Sequence, residues 1–249
     1  MRDFDESTLW RVSEFERVRK ASGSSGFVGL PETTVLPSTL LSDLQKLEYS
    51  PENNDVLEVL AACQRHREPA LLLIRYDELL WPVTVFPQHQ LYHSPRDLLL
   101  AEPAGLARVQ LVECEPPGVR PPGHWMHERV GQATHYRPLA PMLWQMAMNG
   151  PRRTLLTEIG GHAAYRVSTP ADERPGAPGA MGAAAERLRR EAASLREIAS
   201  WPGMTTERAS RLLNALYLCE SLMVTRTHPA ARDETSLASR LFGARKPKR

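Results

Sequence analysis

The sequence predicts an α+β protein, an N-terminal sheet-and-helix domain followed by a C-terminal winged-helix-like domain. Three observations lead there. Between residues 51 and 115 a helical repeat is followed by apolar runs of strand length, the pattern of a small sheet covered by helices. The run Glu115-Pro116-Pro117-Gly118-Val119-Arg120-Pro121-Pro122-Gly123 then interrupts the chain as a stiff, extended connection. Finally, Ser194 to Thr227 reads as a short helix, a tight turn, a long amphipathic helix and a strand, which is a helix-turn-helix with the start of a wing.

In chain order, Leu9, Trp10, Val12, Phe15 and Val18 repeat at roughly helical spacing, and Ala21 to Gly29 is a flexible link by composition. That link has no Lys-Ser/Thr after its last Gly and is no phosphate loop. Leu40, Leu41, Leu44 and Leu47 mark a helix over 36–48. Asp55 to His66 marks another, capped by Asn54 or Asp55. Residues 69–74 and 79–86 read as neighbouring strands, with Pro82 suggesting an edge or a bulge, and Gln90–His93 reads as a third. Ser94-Pro95 predicts a helix start, and residues 106–114 alternate as a strand. This order is compatible with roadblock-like or profilin-like sensor and adaptor folds, an architectural comparison only.

Beyond the proline run, Leu139 to Asn149 predicts an apolar helix ended by Gly150-Pro151. Residues 154–159 and 162–167 flank Gly160-Gly161 as a hairpin. A polar loop (169–179) and an Ala- and Arg-rich helix (181–193) lead to Ser194-Leu195-Arg196-Glu197, a capping box. An uninterrupted helix through 191–199 competes with that cap, since Ala192-Ala193 would not break it. Pro202-Gly203 ends the short helix; Thr205 or Thr206 caps the long one, whose stripe is Ala209, Leu212, Leu213 and Leu216. The expected division is a helical and flexible region (1–50), a small α+β domain (51–115), a Pro-rich linker (116–137), a winged-helix-like domain (138–230) and a basic tail (231–249).

The order of elements over 138–227, carried by Leu195, Ile198, Leu212, Leu213, Leu216, Leu222 and Val224, resembles modules attached to bacterial response regulators of the PatA type. It departs from them in the 169–179 insertion. The resemblance implies a signalling or protein-contact role, often in motility or surface behaviour, and names no functional residue.

Chemistry-bearing residues are few. His124 and His127, three apart, with His135 beyond, are the candidate metal ligands. The pattern is not H-E-x-x-H, and loop histidines are the plainer reading. Cys63, Cys114 and Cys219 show no paired spacing and read as reduced, buried thiols. With no nucleophile elbow or paired carboxylates in view, no enzyme activity, cofactor or metal is expected. The net charge of +2 argues for neither nucleic acid nor membrane by itself. The start MRDFDESTLW is too charged for a signal peptide, so the cytoplasm is expected and membrane contact is not. The tail Ser239–Arg249 reads as a solubilising terminus, with a docking peptide as the rival.

The expected function is therefore that of a non-enzymatic regulatory or adaptor protein acting through protein contacts. The rival is a winged-helix transcriptional regulator that reads DNA with the helix after Thr205. Its outward residues would be Thr206, Arg208, Ser210, Arg211, Asn214 and Glu220, with Thr225 and Arg226 in the wing and Arg187, Arg189, Arg190 and Arg196 near phosphates. The nearby acids Glu186, Glu191, Glu197, Glu207 and Glu220 nearly offset those charges, which favours the contact module.

Overall fold

The computed structural model describes residues 9–22, 35–48, 55–168 and 176–231. The readings made for residues 1–8, for most of the 21–29 link, for Asn54, for 169–175 and for the tail from residue 232 lie outside them. The chain divides into two compact units, Met1–Arg152 and Arg153–Arg249.

The first unit runs β1 (Trp10–Arg11), α1 (Val12–Ser22), α2 (Ser38–Glu48), α3 (Val56–His66), β2 (Ala70–Tyr76), β3 (Leu79–Phe86), β4 (Leu91–His93), α4 (Pro103–Leu106), β5 (Gln110–Glu115), β6 (Tyr136–Pro138) and α5 (Leu139–Asn149). Its sheet is antiparallel in the order β5-β2-β3-β4-β6, with β1 also on β3. α3 begins where Asp55 Oδ1 accepts from Leu57 N at 2.8 Å and ends at Arg67, in the left-handed region at φ 55°. β2 is apolar and buried from Ala70 to Ile74, where both of its faces are covered, and turns polar at the exposed Arg75. One face carries Leu71, Leu73 and Leu80, packed with Phe15 of α1 and with Val112. By register Leu72, Ile74, Val83, Val85 and Tyr92 share the opposite face. α5 packs there on α3 and β4.

Ion pairs fasten the helices. Asp43 of α2 binds His66 at 2.7 Å, Lys46 at 2.9 Å and Arg65. The hydrogen bond from His66, then those from Lys46 and Arg65, hold its carboxyl well below the usual carboxylate range. At the start of α3, Arg152 reaches both Asp55 and, at 2.8 Å, Glu58, with all three side chains almost wholly buried.

The segment expected to be a linker is instead part of this unit. Residues 116–135 fold back as a strap over the sheet face that carries His93, with Pro117, Val119 and Pro121 buried. A parallel bridge joins Arg120 to Val130 across the strap. Tyr136 Oη, itself on β6, donates to Arg120 O and accepts from Gly131 N at 2.8 Å. The boundary therefore moves from 137/138 to 152/153, because Tyr136–Pro138 add a strand to β4 and α5 covers the same sheet. The helix expected from Ser94 is also replaced. Arg137 Nη1 takes the Ser94 carbonyl at 2.9 Å, and Asp97 caps a 3₁₀ turn at Leu98–Leu100.

The second unit runs β7 (Ala164–Val167), α6 (Gly179–Arg190), β8 (Ala193–Ser194), α7 (Leu195–Ser200), α8 (Thr206–Leu218) and β9 (Leu222–Thr225). Its sheet has the order β8-β7-β9, all antiparallel. The expected hairpin about Gly160-Gly161 forms only its second arm. Thr154–Ile159 turns instead, since Asn214 of α8 satisfies the backbone of Thr154 and Leu156. β9 pairs with β7, from before the helices, so no strand following β9 completes a wing among the described residues.

At α7 the cap prevails over the continuous helix. Ser194 Oγ accepts from Glu197 N at 3.4 Å while Glu197 Oε2 accepts from Ser194 N at 2.6 Å. Ser194→Ala is expected to lower the urea midpoint of this unit at unchanged slope, a loss of about 1 kcal/mol. An unchanged midpoint would show that the box contributes nothing.

Candidate functional site

α8 and the turn before it hold the residues expected to meet a partner or DNA. Thr205 caps α8, its Oγ1 accepting from Arg208 N at 3.1 Å, and Gly203 at φ 73° makes the preceding turn. The helix is exposed at Thr206 and Arg208 in its first turn and half-buried at Glu207, Arg211 and Tyr217. Farther along, Ala209, Ser210, Leu212, Leu213, Asn214, Ala215, Leu216 and Leu218 are buried.

This corrects the outward placement of Ser210 and Asn214, both buried. The Asn214 amide is fully buried; Oδ1 accepts from Leu156 N and Nδ2 donates to Thr154 O, both at 2.9 Å. The expected stripe at i, i+3, i+4 was too narrow, because the polar side chains Ser210 and Asn214 also face inward. The other candidates are placed as follows. Arg208 Nη1 donates to Gly203 O at 2.6 Å. Arg211, mostly buried, lies 3.1 Å from Glu207, which also lies 3.8 Å from Arg153. Arg226 donates to Glu158 O at 2.8 Å and Gly160 O at 2.9 Å, fastening β9 to the 157–161 turn. Two of the four arginines placed near phosphates carry acidic neighbours: Arg187 pairs with Glu191 and lies 4.4 Å over the Trp201 ring, and Arg189 lies 3.2 Å from Glu186. Beside α7 an open cleft of about 580 Å³ is lined by Gly161, His162, Ser194, Arg196, Thr206 and Pro229, among others.

The histidines separate. His124 accepts from Met126 N at 3.1 Å and stacks beside Trp125, which is 77 % exposed, and His127 is exposed on the strap. His135 is buried and meets His93 instead, their ring centroids 5.6 Å apart and edge-on. Among the described residues no three of His, Cys, Asp and Glu gather to hold a metal ion. His93 did not stand out in the sequence. The signal available was the alternation of a short strand, which puts His93 opposite Tyr136 and on the face of Thr84.

Around this pair the sheet end is polar and closed. Tyr92 Oη donates to Asp97 at 2.9 Å, and burial first, then Asp97, push the phenol well above its ordinary value. Burial, with His135 and Arg137 adding to it, lowers the His93 imidazole to about 4. Burial likewise raises all three thiols, Cys114 and Cys219 to about 12, so none carries thiolate at neutral pH.

No protein-family model matches the chain, and neither the curated proteins nor the solved structures returned a match. No described helix is long and apolar enough to cross a membrane.

Proposed function

We propose that this chain is a non-enzymatic regulatory adaptor that works through protein contacts, in the bacterial signalling setting implied by its resemblance to modules of response regulators of the PatA type. On this reading the second unit is a winged-helix-like domain whose helix-turn-helix is a packing and contact unit. The observation that carries it is the burial of α8 beyond its first turn. A DNA-reading helix needs a solvent-facing row of side chains several turns long to enter a major groove. Here Ser210 and Asn214 are turned in, and Arg208 and Arg211 are engaged within the unit. The cleft beside α7, open and lined by polar and small apolar residues together, offers a surface suited to a peptide segment of a partner.

Two measurements together test this. Random duplex DNA titrated into the purified chain at low salt is expected to give no salt-sensitive shift. Binding that collapses in Arg208→Ala with Arg211→Ala would move the assignment to a transcriptional regulator. Crosslinking capture from the native host is expected to recover a specific partner whose yield falls at least about tenfold when Arg196→Glu alters the cleft, an effect of about 1.4 kcal/mol. Recovery of no specific partner by the unaltered chain would sink the adaptor reading.

A further inference from the structure

We infer that the strap 116–135 is a proton-released cover, closed over the sheet by the uncharged imidazole of His93 packed against His135, and freed when His93 takes up a proton. The geometry beneath the strap has no place for an imidazolium. His93 Nε2 lies so close to Gly131 of the strap that a Cβ there would sit 2.5 Å from it. Among the described residues neither ring nitrogen of His93 has a hydrogen-bond partner. His135 Nε2 and Ser94 Oγ are likewise buried without one. The small cavity at His93, closed by Pro95, Gly118 and Val119, measures about 10 Å³, at the lower limit for one water. Two buried polar atoms therefore go unsatisfied while the strap is down, and water would satisfy both once it lifts.

The groups facing the pair from every side work the same way. From β6 come Tyr136, its ring centroid 4.8 Å from that of His93, and Arg137, whose Nη1 binds the carbonyls of Ser94 at 2.9 Å and His135 at 3.2 Å. From the strap comes Arg120, whose carbonyl takes the Tyr136 hydroxyl. Asp97, the nearest carboxylate in this network, lies 3.5 Å from Arg137 Nε and accepts from Tyr92 Oη and Leu99 N. No described carboxylate is hydrogen-bonded or ion-paired to either imidazole. The strap leaves the sheet after β5 and rejoins it at β6, so it can lift without breaking the pairing of β2, β3 and β4.

The sign follows from the lowered imidazole. Closed, His93 binds its proton near pH 4; open and hydrated, near the ordinary 6.5. Closure is thus fully favoured above the ordinary value and is lost as pH falls through the lowered one. Linkage makes the open-to-closed ratio rise about sixtyfold between about pH 7 and about pH 4.5.

Amide exchange on the full chain at those two pH values, corrected for intrinsic rates, reads this directly. Protection at Arg120, Val130 and Gly131 is expected to fall about sixtyfold while β2 and β3 keep theirs. Unchanged strap protection overturns the proposal, and so does an equal loss in β2 and β3, which would mean that the whole unit opens. In His93→Gln the acid response of the strap is expected to shrink to a few-fold; a full response there also overturns it. Should that variant not fold, the His93 ring proton titrated by NMR in the unaltered chain decides. A midpoint near 4 that coincides with strap release supports the latch, and one near 6.5 defeats it.

Discussion

Arg152→Ala is expected to destabilise the first unit by about 3–5 kcal/mol, the cost of removing one partner from a buried ion cluster. The guanidinium bridges Asp55 and Glu58, whose side chains are 11 % and 8 % exposed while its own is 5 % exposed. Without it two carboxylates stand together in a low-dielectric setting with their principal cation gone. Asp55 matters doubly, because its other oxygen caps α3 through Leu57 N. Denaturant unfolding of the first unit measures the loss. Replacing all three residues together by apolar side chains of similar volume is expected to cost far less, since no buried charge is then left unpaired. A loss under about 1 kcal/mol in Arg152→Ala would show that water reaches the cluster and screens it.

Asn214→Leu is the second large effect, expected at about 2–4 kcal/mol against the second unit. Leucine is close in size, so packing changes little, but the buried Leu156 N loses its partner, at about 1–3 kcal/mol for a buried group left unmade, and Thr154 O loses a part-buried hydrogen bond. The turn at 154–161 is the part that suffers. It is held by Asn214 from α8, by Tyr165 Oη donating to Ile159 O at 2.6 Å and by Arg226 from β9. Exchange protection at Leu156 N is expected to fall first. If the variant kept full stability yet lost partner or nucleic-acid binding, Asn214 would be a contact residue after all and its buried placement irrelevant to function.

The two units differ in how much of them could be read from residues alone. Elements with a strong local cause were visible: Asp55 before an apolar repeat for α3, continuous apolar runs for β2 and β3, the Ser194–Glu197 box for α7 and Pro202-Gly203 for the turn before α8. Those decided at long range were not. Pro-rich composition signals extended backbone, yet the strap bends through 3₁₀ turns at His127–Arg129 and Ala133–His135, and nothing local tells that Tyr136 will fix it by binding Arg120 and Gly131. Gly160-Gly161 carries hairpin chemistry, yet a side chain more than fifty residues later takes the backbone groups that the missing arm would need. The histidine spacing drew the eye to His124 and His127, while the residue that His135 meets, His93, lies on another strand.

The position of β7 carries one more consequence. It is the middle strand of its sheet, but β8 is made only after α6, and β9 only after α7 and α8; Ala164 pairs with Thr225, about 60 residues on. During synthesis the edge of this strand that β9 covers must stay bare until residue 225 has left the ribosome. A fragment cut to begin at α6 would keep every helix of the unit and lose the strand that joins β8 to β9. Any expression boundary for the second unit therefore belongs upstream of residue 164, close to Arg153 where the unit starts.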